Sequence, residues 1–219
     1  MKNEVQAWAR NLKQVLGTNL TGVILYGSAA RGDLVPGHSD LNLMLVFKKI
    51  DLGQIAKIKT LIPRRIRKKL PRLVFWRQEE IANSWDVFPL EFSDIAANHR
   101  CLAGTDPFRK RRIDTKRLRF QLEFELRAKL LKLREDWLAI NRDTYAQERY
   151  LIKAGTSFEY LIGKAQAVLG KKGVTAPDLF TKIKRLKKKE IRLKRVELQD
   201  LFYHLHETVE AVIGKIDAA

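Results

Sequence analysis

Residues 22–47 read GVILYGSAARGDLVPGHSDLNLMLVF, and the reading of this stretch decides the fold. Residues 22–26 form a short apolar run that ends at a glycine turn and residues 41–47 form another, so two strands are predicted to flank a polar segment, 27–40. The first strand runs into Gly27 and Ser28, where glycine lets the backbone turn tightly. The amides of such a turn, with the Ser28 hydroxyl, can hold a phosphate at the start of a helix. The returning strand carries Asp40 and Asn42, which share one face because they are two residues apart. Two oxygen donors then face the same phosphates as the turn.

Outward from this stretch the pattern alternates. Val5, Trp8, Ala9, Leu12, Val15 and Leu16 recur at helical spacing after an Asn3 cap, with Gly17 as a stop. Ile55, Ile58, Leu61 and Ile62 predict a second amphipathic helix, which Pro63 ends or distorts. Residues 73–76 and 87–95 read as two further strands, with a short helix over 78–83 between them. Strands and helices intermingled in this order predict an α/β or α+β domain with a mixed sheet. After Thr115 the strand signal stops. Leucine-rich stripes beginning at Leu118, Leu151 and Leu198 predict three long helices, and Thr175 before Pro177 predicts a shorter one, together a helical bundle. Pro107 and the basic cluster 109–112 mark the junction, giving domains 1–112 and 113–219.

The chain has 219 residues and 45% hydrophobic residues, enough for an ordinary core. Its 43 basic and 25 acidic residues leave a net charge of +18, which points to anionic partners. Cys101 is the single cysteine and there is no zinc-ligand spacing, which excludes a disulfide scaffold and a zinc module and fits a reducing compartment. The N-terminal residues mix charge with apolar side chains, unlike a signal or transit peptide, and no apolar run is long enough to span a membrane. A cytoplasmic protein without a membrane partner is expected.

At Gly27, Ser28, Gly32, Asp40 and Asn42 the sequence resembles the DNA polymerase β-type nucleotidyltransferase superfamily, and in particular its small bacterial minimal and aminoglycoside nucleotidyltransferase-like members. The motif spans residues 22–47, and the order of elements extends the likeness to about residue 105. The resemblance implies an α+β nucleotidyltransferase-fold domain followed by a C-terminal α-helical bundle that walls the cleft and selects the acceptor. It also implies transfer of a nucleoside monophosphate from a nucleoside triphosphate, with ATP as the expected donor and Mg2+ as cofactor, to a hydroxyl of a small molecule, a protein or an RNA. In such enzymes paired acids hold two Mg2+ ions, about 4 Å apart, that neutralise the triphosphate and stabilise the attacking and leaving oxygens. By these roles Asp40 binds metal, Gly27 and Ser28 hold the terminal phosphates, and Arg31 adds a phosphate contact. The third acid comes from a later strand; Glu91, in the predicted strand 87–95, is the candidate for metal binding and for deprotonating the acceptor. Asp94 is its substitute if the register differs, and Asp51 is a remote third.

Asn42 departs from the pattern. It stands where the second acid is expected, and an amide offers Mg2+ one neutral oxygen without compensating charge. Removing one well-placed electrostatic group commonly costs about 10² to 10³ in rate. Two functions therefore remain open: a transferase with a weakened metal site, or a degenerate relative, antitoxin-like, that binds nucleic acid or an acidic protein. The basic clusters 64–72 and 182–195 are the surfaces for such partners, or are ordinary solvated helix faces. Phe120, Phe124, Trp137, Phe158 and Phe202 lie among leucines at helical spacing and read as core. His204, His206 and Glu210 read as surface pairing on the last helix.

Overall fold

The computed structural model describes residues 2–31, 41–67, 72–109, 111–140, 143–170 and 175–218. The chain divides into two compact units, Met1–Asp114 and Thr115–Ala219. The first contains α1 (Lys2–Leu16), β1 (Leu20–Tyr26), α2 (Ser28–Arg31), β2 (Asn42–Phe47), α3 (Leu52–Leu61) and α4 (Arg64–Arg67). It continues with β3 (Arg72–Arg77), α5 (Gln78–Asn83), α6 (Pro89–Ala97) and β4 (His99–Gly104).

The four strands make one mixed sheet in the order β3-β2-β1-β4. β1 runs antiparallel to both neighbours, and β2 is parallel to β3 across the α3–α4 crossover. Because β1 and β2 are covered on both faces, they read as unbroken apolar runs rather than as alternation. Val23, Leu25, Leu43, Leu45 and Phe47 face a core closed by Val5, Trp8, Ala9 and Leu12 of α1 with Ile58 and Ile66. Ile24, Met44 and Val46 face a second core closed by Ile81, Phe92, Ile95 and Phe108. The Trp8 indole N–H donates to the Leu61 carbonyl at 2.8 Å, tying α1 to the end of α3.

This α+β architecture is the class read from sequence, with three local corrections. Asn3 lies inside α1 rather than capping it, and Val15 is exposed. Residues 89–97 are the helix α6, not a strand: Pro89 occupies its first turn, where proline's missing N–H costs nothing and its fixed φ suits a helix. The sheet's fourth strand is instead β4, made of His99–Gly104.

The second unit is all helical: α7 (Thr115–Ala139), α8 (Thr144–Leu169), α9 (Pro177–Lys187) and α10 (Arg195–Asp217). The expected stripes are buried, among them Leu118, Leu122, Leu126, Leu130 and Leu133 on α7 and Leu198, Leu201, Leu205 and Val209 on α10. Trp137 stacks on Phe202 with ring centroids 4.3 Å apart, and Phe158 is buried. Phe120 and Phe124 are not core: they are 69% and 63% exposed, on the side of α7 opposite its leucines. No described helix is long and apolar enough to cross a membrane.

Candidate functional site

The site begins where β1 ends. Gly27 has φ +75, a left-handed conformation that reverses the chain after Tyr26, and its carbonyl accepts from Ala30 N–H at 3.0 Å and Arg31 N–H at 3.3 Å. α2 is a single turn, so its first amides, which have no acceptor within the helix, are what it offers an anion; its macrodipole is small. Arg31 is exposed in that turn. The side chain of Ser28 and all of Asp40 lie outside the described residues, and so does Gly32.

The strand element meets this turn. Tyr26 pairs with Asn42 across the β1–β2 ladder, and Asn42 shares a face with Met44 and Val46. A Cβ placed on Gly27 would sit 2.9 Å from Asn42 Nδ2, so the Asn42 amide fills the space that the glycine leaves. The two parts of the motif that the structure describes are therefore in contact.

Glu91 is placed differently from its expectation. It lies exposed in the first turn of α6. The neighbouring Phe92 packs edge-on against Trp76 at 5.4 Å, and Trp76 pairs with Val46 at the far end of β2 from Asn42. The other end of α6 reaches the Asn42 end of the sheet: Ala96 O lies 3.2 Å from His99 Nδ1, and His99 pairs with Tyr26. The half-buried Asp94 stands one helical turn closer to that end than Glu91. Asp51 is a helix cap, accepting from Gly53 N–H at 2.7 Å.

Among the described residues no strand carries an Asp or Glu. Among the described residues no three His, Cys, Asp or Glu side chains gather to hold a metal ion. The donor set for a two-ion centre is thus not among the described residues.

Sequence reasoning missed His99. It completes a row, Asn42–Tyr26–His99, across one end of the sheet. His99 Nε2 lies 2.9 and 3.0 Å from the two Asp106 oxygens while Nδ1 faces Ala96 O. With each ring nitrogen facing an acceptor, this histidine clamps α6 to β4. No spacing in the sequence signals it. Cys101, two residues along, has its thiol pushed up by desolvation and then by Asp106, which leaves it protonated and weakly nucleophilic.

In the second unit His206 and Glu210 make the surface pairing expected of them. Arg134 donates to His206 Nε2 at 2.9 Å and to Glu210 Oε1 at 2.6 Å.

No protein-family model and no curated protein sequence matches this chain. Among solved structures, it is similar to spectinomycin adenyltransferase AAD(9) from Enterococcus faecialis, solved with ATP and spectinomycin. The TM-score is 0.49 at 13% identity, over 99% of this chain and 98% of that one.

Proposed function

We propose that the first unit is a nucleotidyltransferase-type domain that receives a nucleoside triphosphate over the Gly27 turn and moves its monophosphate to an acceptor hydroxyl. The observation that supports this reading is the seating of the Asn42 amide against Gly27, which brings the glycine turn after β1 and the start of β2 together. In this reading the turn amides, Ser28 and Arg31 hold the phosphate tail, and Asp40 holds one Mg2+ with Asn42 as a neutral second donor. The ion would supply positive charge against the triphosphate. With one carboxylate in place of the usual set, turnover is slow by a factor of about 10² to 10³. ATP is the expected donor, and a cytoplasmic setting would provide both it and Mg2+.

A second reading is favoured by Asn42, a neutral amide at the start of β2 where a second acid is expected: the domain binds nucleotide and has stopped transferring it. Calorimetric titration with Mg·ATP, together with incubation of α-labelled ATP in cell extract, separates the two. The transferase reading expects binding and label transfer, both abolished by Asp40→Ala, with transfer equal or faster in Asn42→Asp. Binding without transfer in wild type and in Asn42→Asp selects the second reading. Neither binding nor transfer, from any of the four nucleoside triphosphates, removes both.

A further inference from the structure

The charge of Thr115–Ala219 is unevenly placed. Residues 182–195, the second half of α9 and the connection into α10, hold nine Lys or Arg and one acid, Glu190; the rest of the unit holds fourteen basic and thirteen acidic residues. Solubility asks for net charge but not for its collection at one corner. Acids satisfy only a minority of these cations. Lys184 pairs with Glu159 at 2.6 Å, and Arg185 and Lys188 share Glu190 at 4.0 and 3.7 Å. Lys182, Lys187, Lys189, Arg192, Lys194 and Arg195 have no ion pair among the described residues.

Three of the cations converge. Lys182, Arg185 and Arg192 line, with the Thr181 hydroxyl, a groove of about 460 Å³ between α9 and the connection. The two acids that also line it, Asp178 and Glu197, sit in the first turns of their helices, where backbone N–H groups take up carboxylate charge. Glu197 Oε2 accepts from Lys194 N–H at 2.7 Å.

Lys189 provides an independent sign. α9 ends with Lys189 N–H bonded to Leu186 O at 3.0 Å and Glu190 N–H bonded to Arg185 O at 2.9 Å, which is the left-handed helix stop normally built with glycine. Lys189 occupies it at φ +61, a strained conformation for a side chain with a Cβ. A strained residue that presents an exposed ammonium at the apex of a cationic corner is accounted for if the ammonium is used.

We propose that this α9–α10 corner grips the sugar-phosphate backbone of a nucleic acid. An acidic protein is the less suitable partner, because protein interfaces draw their affinity from a buried apolar centre. Here Ile183 and Leu186 are buried in the bundle core, and Val196 is the one large hydrophobic residue of the corner left well exposed. Phosphodiester binding needs only cations, since its affinity comes from counterion release. The inference goes beyond the nucleotide site of the first unit and does not depend on it.

The test is fluorescence anisotropy with the full chain and two labelled probes, a 20-nucleotide single-stranded RNA and a 20-base-pair DNA duplex. With about four phosphates neutralised, affinity for the single strand falls about fifty-fold between 50 and 200 mM salt. Lys187→Glu/Lys189→Glu weakens binding more than tenfold, while Arg149→Glu/Lys153→Glu, an equal charge change elsewhere on the bundle, stays within about threefold. Lys189→Gly raises the melting temperature by about 2–4 °C and still weakens binding two- to threefold, a combination that a purely structural lysine does not give. Binding to one probe alone, or to both, supports the proposal and names the source of the phosphates. The proposal is overturned if polyglutamate of equal charge displaces the probes as well as unlabelled RNA does, if the two double variants lose equally, or if neither probe binds at 50 mM salt.

Discussion

At the scale of single residues, the site rests on a glycine that could not be another residue. Gly27 combines φ +75 with a Cβ position 2.9 Å from Asn42 Nδ2. Gly27→Ala is expected to cost about 1–2 kcal/mol for the left-handed backbone alone, plus the displacement of the Asn42 amide. Urea unfolding of Gly27→Ala, Asn42→Ala and the double variant separates the two parts: in the Asn42→Ala background the steric share vanishes and the backbone share stays. Strict additivity would show that Asn42 does not occupy that space. The glycine was legible in the sequence because a strand that stops at a Gly-Ser pair has few other shapes to adopt. The face of Asn42 was legible too, since side chains alternate along the strand and it falls with Met44 and Val46. His99 was not legible, because its partners, Asp106 and the Ala96 carbonyl, are set by how α6 meets β4 and not by any pattern along the chain.

At the scale of elements, α6 shows where periodicity runs out. Residues 87–95 are a largely apolar run that carries two acids, Glu91 and Asp94, and a run of that length fits a buried strand as well as a buried helix. Pro89 at the first helical position was the deciding signal, since a central strand would lose a ladder hydrogen bond there. The misreading carried the placement of Glu91 with it, from a strand to the exposed first turn of α6. The amphipathic helices were read well because their apolar stripes bury against neighbours of the same unit. Phe120 and Phe124 break that rule, as aromatics on the far face of α7 are indistinguishable by spacing from a broad buried stripe. Helix contact also sets the next prediction. Gly155 of α8 lies so close to α9 that a Cβ would come within 2.4 Å of Ile183 Cδ1. Gly155→Ala gains helix propensity of up to about 1 kcal/mol but overpacks by about 1–3 kcal/mol, so a net loss is expected in thermal or urea unfolding. Ile183→Val removes the methyl that comes closest and leaves Cγ2 at 3.1 Å, so Gly155→Ala should cost less in that background; an unchanged penalty would place the clash elsewhere.

At the scale of the whole molecule, the chain joins two units that each close their own apolar interior, a sheet with covering helices and a four-helix array. Residues 111–114, between β4 and α7, have no regular structure, and Arg109, Arg111 and Arg112 are exposed there. Proline and a run of arginines precede the long leucine stripe of α7, and the chain changes there from mixed patterns to one helical period. Backbone that is exposed and outside hydrogen-bonded elements is the first to enter a protease cleft. Brief trypsin treatment at low enzyme ratio is therefore expected to cut first within residues 109–112 and to leave a fragment ending at Ala219. The second unit buries leucines on all four of its helices, so that fragment should keep its helical circular dichroism and unfold in one cooperative transition. Lysines of the 182–195 corner are also trypsin sites, and those on α9 are shielded only while the bundle holds its shape. Mass spectrometry of the fragment thus reads the same question twice. Early cleavage inside α9, or a fragment that unfolds without cooperativity, would mean that the bundle needs the first unit in order to fold.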